Sequence, residues 1–472
     1  MTGSRRTGHR ALLGRTAKLA AGYLDSLPER AVAPAATLAE LRAALGGELP
    51  RAGAAPLDVV ERLAAAADTG VMASAGPRFF GFVVGATLPA ALAADWLAST
   101  WDQNAGLYVL APAAAVAEEV AGQWLVDLLG LPERTSVGFV TGCQAANFAA
   151  LAAARHGVLE RYGWDVEARG LYGAPELEVV VGDEAHVTVH TALQMLGLGR
   201  DRVHRVAADG QGRMRADALA ASLAPLAGRP VVVCAQAGNV NTGAFDPLDA
   251  IADAARAAGA WLHVDGAFGL WARASGARRA LAAGAERADS WATDAHKWLN
   301  VPYDSGLVFC AHPDAHRGAL TATASYLEQS EGRERDPFEW TPEFSRRARG
   351  FAVWAALASL GRDGVEELVD RCSDHARRFA AILGARPGIE ILNEVVLNQV
   401  LVRFAPPGGG DEGAIDEFTR ETIRRVQAGG ELWLSGTTWQ GRAAMRISVS
   451  GWRTTTADVE RAAAAILAAA AR

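Results

Sequence analysis

The sequence predicts an α/β fold built around a largely parallel sheet. Continuous apolar runs without polar alternation occur at 177–182, 230–236, 261–264 and 306–310. Such runs are typical of strands in a sheet that is covered on both faces. Helical patterns separate them, at 189–198 and 246–258. This alternation of strand and helix favours parallel strands joined by crossover helices.

The individual elements have recognisable ends. Asp246 and Pro247 predict the start of the helix 246–258, with Asp246 as the N-cap and Pro247 at the first helical position. Gly259 ends this helix, and the next strand follows at once. Upstream, the stretch 138–147 predicts a turn that leads into a helix over 148–155.

The chain of 472 residues is too long for one simple core, and three regions are predicted. Residues 1–75 form a mostly helical N-terminal arm, and 76–340 form the large α/β domain. Residues 341–472 form a smaller α+β domain that begins with a long helix. Its strands are predicted at 395–404 and 445–449.

Composition excludes several classes of function. A net charge of -7 argues against a nucleic-acid surface. No apolar run reaches ~18 residues, which predicts no membrane span, and no secretory signal follows the basic N-terminus. The four cysteines are far apart and show no metal-ligand spacing, so we expect reduced thiols, no metal site and a cytoplasmic protein.

Lysine is rare in this chain. Only Lys18 and Lys297 occur among the 46 basic residues, and Lys18 lies in a basic N-terminal stretch. Arginine stays protonated at any working pH, whereas a desolvated lysine can lose its proton and form an imine. Lys297, flanked by apolar residues, is therefore a candidate nucleophile. The alternative is a surface lysine that survives in an arginine-biased sequence.

An aspartate at the end of a predicted strand gives Lys297 a chemical partner. Asp265 follows the strand 261–264 and precedes Lys297 by 32 residues. A carboxylate against a pyridine nitrogen keeps that nitrogen protonated, which suits pyridoxal phosphate as an electron sink. Gly266 and Ala267 are small enough for a flat ring to lie against the backbone. Alternatively, Asp265 only caps a turn.

Two further elements are compatible with this cofactor. The turn containing Gly142, Cys143 and Gln144 leads into a helix N-terminus, where free N–H groups can bind a phosphate. His186 follows another apolar strand, where a neutral imidazole can stack on a cofactor ring. Each has a structural alternative: such turns before helices are common, and a histidine after a strand is often structural.

Together these segments resemble the pyridoxal-phosphate-dependent group II decarboxylases, which include aromatic-L-amino-acid decarboxylase and glutamate decarboxylase. The resemblance runs from about residue 30 to the C-terminus. It is based on six segments: 76–82, 141–147, 185–186, 263–267, 294–299 and 345–349. It implies a fold-type-I enzyme that decarboxylates an amino acid, either aromatic or otherwise non-acidic. It also implies a homodimer with the site at the interface and an N-terminal arm wrapped around the partner.

The resemblance also implies roles for single residues. Lys297 forms the internal aldimine, Asp265 pairs with the pyridinium nitrogen, and His186 stacks over the ring. The phosphate is held by His296 and by the backbone around Cys143 and Gln144, and Ala267 packs on the opposite ring face. The segments 77–82 and 101–108 help to build the substrate pocket, with aromatic candidates at Phe79, Phe80, Phe82, Trp101 and Trp439.

The sequence departs from the family pattern at two places. Gln144 replaces the usual hydroxyl of the phosphate loop, although its amide can still donate to phosphate. No tyrosine occurs near 337–339, the place that corresponds, by the resemblance, to the mobile loop in which animal aromatic decarboxylases carry a tyrosine that protonates Cα. Either another acid acts, such as His186, Tyr326 or a residue of the partner subunit, or oxygen intercepts the intermediate and an aldehyde forms. Transamination and a catalytically idle cofactor-binding protein are further alternatives, and Arg446 is interpreted as structural.

Overall fold

The structure, a computed structural model, describes residues 8–321 and 334–471. The first part of the chain is helical, with α1 (His9–Ser26), α2 (Leu38–Leu45) and α3 (Pro56–Asp68), followed by the short strand β1 (Phe79–Phe80). A capping box between Thr37 and Glu40 begins α2. Proline at the first helical position begins α3, where its missing N–H costs no hydrogen bond.

Helices and strands then alternate along the chain. In order, they are α4 (Pro89–Trp101), α5 (Pro112–Leu129), β2 (Ser136–Val140), α6 (Cys143–Arg161), α7 (Val166–Arg169), β3 (Glu178–Gly182), α8 (Val187–Met195), β4 (Val203–Val206), α9 (Ala216–Leu223), β5 (Val231–Gln236), α10 (Leu248–Ala257), β6 (Trp261–Asp265), β7 (Ser290–Asp294), β8 (Gly306–Cys310) and α11 (Pro313–Leu320). The strands form a seven-stranded sheet in the order β2-β8-β7-β6-β5-β3-β4. Only β8 runs antiparallel to its neighbours, so the predicted, mostly parallel sheet is confirmed.

The last part of the chain contains α12 (Gly350–Gly384), β9 (Ile389–Ile391), β10 (Gln399–Phe404), α13 (Glu412–Gly429), β11 (Trp433–Trp439), β12 (Arg442–Ser448) and α14 (Thr456–Ala470). Its strands form a second sheet in the order β1-β11-β12-β10-β9. Because β1 pairs with β11, the second sheet also takes in residues 79–80 from near the start of the chain. The boundaries predicted at 75/76 and 340/341 stay predictions.

Two details of the sequence-based elements are wrong. The helix predicted over 148–155 begins earlier, at Cys143, because the phosphate-loop turn passes directly into α6. Asp246 does not cap α10, whose N-cap is Pro247. Instead the buried Asp246 carboxylate accepts hydrogen bonds from the backbone N–H groups of Met214 and Gln236, at 2.7 Å each. It thereby fixes the end of β5 to the segment before α9.

Five neighbouring strands of the large sheet, β8, β7, β6, β5 and β3, are buried along their whole length. Asp265 at the end of β6 is in register with Gln236 of β5 and Ala292 of β7. All four cysteines are buried and unpaired. Among the helices of the described residues, none combines the length and apolar character that crossing a bilayer requires.

Candidate active site

The carboxyl edge of the large sheet brings the predicted site residues together. β6 ends at Asp265, β7 ends at Asp294, and His186 follows β3. The charges of Asp265, Lys297 and Asp294 all act on the His186 imidazole, which places the four side chains in one neighbourhood. Ligands of open α/β sheets bind beyond this edge. The structure therefore assembles Lys297, Asp265 and His186 where a ligand would bind.

Lys297 lies in the turn after β7 and forms an ion pair. Its Nζ is 2.8 Å from Oδ2 of Asp294, a carboxylate that is 3% exposed. Burial lowers the pKa of Lys297, but the Asp294 carboxylate, with smaller contributions from Cys143 and Asp265, raises this pKa overall. The amine is therefore held as an ammonium and must lose a proton before it can act as a nucleophile.

Asn300 fixes the turn that carries Lys297. Its Oδ1 accepts the backbone N–H groups of Ala86 and Trp452 at 2.9 Å each, and its Nδ2 donates to Ser450 O at 3.0 Å. The residue is fully buried and has a φ of 54°. The sequence analysis missed Asn300, although asparagine is one of the few residues that readily adopts this left-handed conformation.

Donors from three directions orient the carboxylate of Asp265. Its Oδ1 accepts the Ala267 N–H at 3.1 Å and lies 3.4 Å from the Cys143 thiol, which donates to it. Its Oδ2 accepts from Nδ2 of Asn147 at 3.1 Å. The side chain is nearly buried, and Ala267 beside it is partly open. The carboxylate is thus fixed in direction, as a partner for a ring nitrogen must be.

His186 is the N-cap of α8. Its Nδ1 accepts the backbone N–H of Thr188 at 3.4 Å and lies 2.8 Å from the Thr188 hydroxyl. Burial lowers the pKa of His186, with Asp265 opposing this shift. The imidazole is therefore neutral, and because Nδ1 accepts hydrogen bonds, its proton is on Nε2.

The predicted phosphate loop forms the N-terminus of α6, with Gly142 as the N-cap and Cys143 as the first helical residue. The Cys143 N–H donates to Oδ1 of Asp294 at 2.6 Å. The helix terminus thus donates to an anionic oxygen in this structure, as a phosphate-binding helix terminus would. Gln144 is exposed at the same terminus, where its amide is free to turn toward a ligand.

Close backbone approach at this loop depends on glycine. A Cβ at Gly306 of β8 would lie 2.5 Å from the backbone of Gly142. No side chain fits in that space, so β8 can lie against the phosphate loop only with glycine at this position.

His296 lies beside the loop and has a defined tautomer. Its Nδ1 accepts the Ser305 N–H at 3.0 Å, and its Nε2 is 3.4 Å from Oδ1 of Asp294. Burial lowers the pKa of His296, so a neutral ring carries its proton on Nε2. The ring of Tyr303 stacks on it at 4.1 Å. Tyr303 was missed by the sequence analysis, and a sequence separation of seven residues gives no signal of this contact.

The aromatic candidates for the substrate pocket divide into two groups. Phe79, Phe80 and Trp439 are buried in the core, which accounts for them without a ligand. Phe82 and Trp101 are exposed. Tyr326, a candidate acid in the sequence analysis, lies outside the described residues.

Arg446 of β12 has an unusual environment. Its side chain is 9% exposed, its Nη1 donates to Val240 O at 3.2 Å, and its Nε has no hydrogen-bond partner among the described residues. Burial lowers the pKa of Arg446 to about 10. Its charge acts on His186, so it belongs to the same site. Because this buried arginine also has no carboxylate partner among the described residues, Arg446 is a candidate anion ligand, an alternative to the structural interpretation given above.

An amine, a fixed carboxylate, a neutral imidazole and a helix N-terminus at the carboxyl edge of this sheet define a fold-type-I pyridoxal-phosphate enzyme. A family model described as "Pyridoxal-dependent decarboxylase conserved domain" matches residues 40–405. The chain belongs to this family of amino-acid decarboxylases, and its cofactor is pyridoxal phosphate.

Relatives of this chain differ in the substrates that their names give. It is 28% identical over 389 residues to the aromatic-L-amino-acid decarboxylase of Bacillus atrophaeus, covering 81% of this chain and 79% of that one. It is 32% identical over 375 residues to the cysteine sulfinic acid decarboxylase of Rattus norvegicus, covering 78% and 75%. The fold matches that of Oryza sativa TDC, crystallised with PLP and tryptamine, with a TM-score of 0.92, 23% identity and 99% of each chain covered.

Proposed function

We propose that this enzyme decarboxylates an aromatic or other non-acidic L-amino acid. The observation that carries this proposal is the charge balance around His186, where Asp265, Lys297, Arg446 and Asp294 act on the imidazole. Once Lys297 is committed to the cofactor, Arg446 is the remaining cation of this set. The Arg446 cation can pair with the single carboxylate that every amino-acid substrate carries. The Asp294 carboxylate would repel a second anionic group on the substrate side chain.

The roles proposed for the cofactor-binding residues follow from their positions. Pyridoxal phosphate supplies the electron sink for loss of CO2. Lys297 would bind its aldehyde, Asp265 would pair with its ring nitrogen, and His186 and Ala267 would lie on its two faces. The phosphate would be held by four residues: Gly142, Cys143, Gln144 and His296. This assignment places the phosphate at the N-terminus of α6. The hydrogen bond from the Cys143 N–H to a carboxylate oxygen supports it.

Arg446 is proposed to attract the substrate carboxylate into the site. A buried guanidinium with an unused Nε–H is a ready partner for a carboxylate. A strong ion pair with the substrate carboxylate would slow the loss of CO2, because it stabilises the ground state and weakens as the carboxylate loses its charge in the transition state. We therefore assign Arg446 to binding rather than to the chemical step.

Tyr303 is proposed to return the proton to the substrate carbon. Its ring lies against His296, next to Lys297 in sequence. Although Tyr303 is 58% exposed, its partial burial raises the pKa of the phenol to about 12, with the Lys297 charge opposing and the Asp294 charge adding to the shift. The phenol thus keeps its proton at working pH. It offers an acid within the described residues in place of the mobile-loop tyrosine that the resemblance to animal aromatic decarboxylases led us to expect.

A homodimer is proposed on the basis of an exposed apolar surface. Large apolar side chains with 41–55% exposure occur on α4 and in the segment before α5, at Trp96, Leu97, Trp101, Val109 and Leu110. Exposed apolar side chains in this number favour a protein interface. Light scattering of the eluted protein tests this directly, and a monomer at micromolar concentration would contradict it.

The decisive experiment is a substrate panel with the holoenzyme. It would contain aromatic, acidic, sulfinic and basic L-amino acids, and it would be scored for CO2, for peroxide and for dependence on a keto acid. We expect CO2 from a non-acidic substrate, whereas turnover of only acidic substrates would overturn the proposed specificity. Peroxide would instead reveal an oxidative outcome, and dependence on a keto acid would reveal transamination.

Replacement of the lysine tests the assigned nucleophile in the same assay. Lys297→Ala should abolish turnover and the visible absorption band of the lysine-bound cofactor. Lys18→Ala, which changes the only other lysine and is exposed, should leave both unchanged. A normal visible band in the Lys297 variant would refute the assignment.

A further inference from the structure

Two buried residues of the family motifs have no role in the proposed function. Asn147 and His263 are both fully buried behind the site. Nε2 of His263 lies 2.9 Å from Oδ1 of Asn147, and Nδ1 of His263 lies 3.0 Å from the hydroxyl of Ser290. That hydroxyl accepts the indole N–H of Trp261 at 2.9 Å. A continuous row of hydrogen bonds thus runs from the core to Asn147.

The donor and acceptor of every hydrogen bond in this row are determined by its two ends, the Trp261 indole, which can only donate, and the Asp265 carboxylate, which can only accept. The indole N–H of Trp261 can only donate, so the Ser290 hydroxyl is left to donate to Nδ1 of His263. Burial lowers the pKa of His263 to about 4, so the ring is neutral and its single proton is on Nε2. It donates that proton to Oδ1 of Asn147. The Asp265 carboxylate can only accept, which independently requires the amide Nδ2 to face it.

The amide of Asn147 also connects Asp265 with His186. Its Nδ2 donates to Oδ2 of Asp265 at 3.1 Å and to the Thr188 hydroxyl oxygen at 3.2 Å. Because the Thr188 oxygen receives this bond, its own hydrogen is free to donate to Nδ1 of His186, 2.8 Å away. The imidazole is then left with its proton on Nε2.

We propose that Asn147 and Thr188 are positioning residues that lock His186 as the Nε2–H tautomer and couple its state to the Asp265 carboxylate. The inference deepens the proposed function and rests on it for the catalytic meaning of the tautomer. In this arrangement His186 presents a donor, rather than a lone pair, to whatever lies beyond Nε2. That donor suits a substrate carboxylate or a developing negative charge, and a lone pair would repel either.

The test uses variants of Thr188, because α8 lies at the surface and its residue 188 is partly exposed. Thr188→Val removes the hydroxyl with almost no change of shape, and Thr188→Ser keeps it. Thr191→Val is the matched control on the same helix, since the Thr191 hydroxyl bonds only to the backbone oxygen of Val187 among the described residues. All are made in the full chain, with and without pyridoxal phosphate.

The primary measurement is the ¹⁵N chemical shifts of the imidazole nitrogens, with His186 assigned through His186→Gln. We expect the Nε2–H tautomer in the unmodified protein, in Thr188→Ser and in Thr191→Val. Thr188→Val keeps the backbone N–H of residue 188, 3.4 Å from Nδ1, as the remaining donor and loses the hydroxyl at 2.8 Å, so its Nδ1–H population should rise measurably above that of the unmodified protein. With the active enzyme, this variant should also lose about tenfold in kcat/KM, as expected for one lost hydrogen bond to a reacting site.

A second variant tests the coupling through Asn147. Asn147→Asp has the same shape but places a carboxyl oxygen against Asp265 in place of the amide Nδ2. The Thr188 hydroxyl then no longer receives the hydrogen bond from Nδ2 of residue 147. The ¹⁵N shifts of the His186 ring should therefore change, although residue 147 does not contact that ring. Far-UV circular dichroism checks that the variant is folded. Unchanged His186 shifts in folded Thr188→Val and Asn147→Asp would overturn the inference. Because these shifts are read without turnover, this result is distinct from a failure of the proposed decarboxylation.

Discussion

The carboxylate of Asp294 lies between Lys297 and the N-terminus of α6. Its Oδ2 is 2.8 Å from Nζ of Lys297, and its Oδ1 accepts the Cys143 N–H at 2.6 Å. One anion thus stabilises the protonated amine and occupies the N–H group proposed for the cofactor phosphate. Both effects oppose loading of the cofactor, the first through the pKa of Lys297 and the second through competition and charge repulsion.

Asp294→Asn should therefore accelerate and tighten cofactor binding. The Asp294 charge raises the pKa of Lys297, so removing it lowers that pKa and increases the neutral, reactive fraction of the amine at any pH below it. The pH dependence of cofactor incorporation should shift to lower pH, and the Kd for pyridoxal phosphate should fall about tenfold. Growth of the visible band after addition of cofactor measures both.

The exposed carboxylate of Asp183 provides the control for this charge change. Asp183→Asn should load cofactor as the unmodified protein does. Slower loading or weaker binding in Asp294→Asn would show that the carboxylate assists binding of the cofactor rather than opposing it.

Arg446→Gln should separate substrate binding from chemistry. If Arg446 attracts the substrate carboxylate, its loss removes binding that is equal in the ground state and early transition state, so KM should rise about tenfold or more while kcat stays within about twofold. Steady-state kinetics on the substrate found with the panel measures this. Arg442→Gln is the control, because Arg442 lies on the same strand but is partly exposed and forms an ion pair with Glu390. A fall in kcat with unchanged KM would contradict the assignment.

Much of the fold could be predicted because its signal is local. The apolar run 306–310 has the bounds of β8, and the run 261–264 differs from β6 only by Asp265. The antiparallel direction of β8 could not be predicted from its apolar run, since it depends on pairing with β7 and with β2, and β2 lies about 170 residues earlier in the chain. The capping role of Asp246 was wrong because its carboxylate satisfies two distant N–H groups instead, which no local pattern reveals.

The site was predictable to the extent that its chemistry depends on residue type. Lys297 and Asp265 stand out as an amine and a strand-end carboxylate. The contributions of Asn147, Asn300 and Tyr303 depend on contacts across the fold, and an asparagine or tyrosine alone does not indicate them. These residues become visible only when their partners are known.

The segment 345–349, one of the six on which the family resemblance is based, contributes an arginine to a structural ion pair. Arg346 and Glu118 are both fully buried, with Nη1 of Arg346 2.7 Å from Oε1 of Glu118, and Arg335 lies 3.3 Å from the other carboxylate oxygen. Glu118→Gln should lower the free energy of unfolding by about 3–5 kcal/mol, because two guanidinium groups lose their counter-charge. Urea unfolding of the holoenzyme measures this. Glu119→Gln, its exposed neighbour, should have almost no effect, and an equal loss in both variants would contradict the prediction.

Tyr303→Phe should impair return of the proton and leave cofactor binding intact. Phenylalanine keeps the ring that stacks on His296 and removes only the hydroxyl, whose pKa of about 12 keeps it protonated. Loss of a general acid typically costs 10²–10⁴-fold, so kcat should fall by about 100-fold or more. If oxygen then reacts before a proton arrives, the ratio of peroxide to CO2 should rise.

Two further tyrosines, the exposed Tyr172 and Tyr326, complete this experiment. Tyr172→Phe should behave like the unmodified enzyme, since its side chain is 98% exposed. If Tyr303 is the acid, Tyr326→Phe should leave the ratio of peroxide to CO2 unchanged. A rise of that ratio in Tyr326→Phe and not in Tyr303→Phe would transfer the role to Tyr326. The solvent isotope effect on kcat adds a second criterion. If Tyr303 is the acid, this effect should change in Tyr303→Phe and stay constant in Tyr326→Phe and Tyr172→Phe.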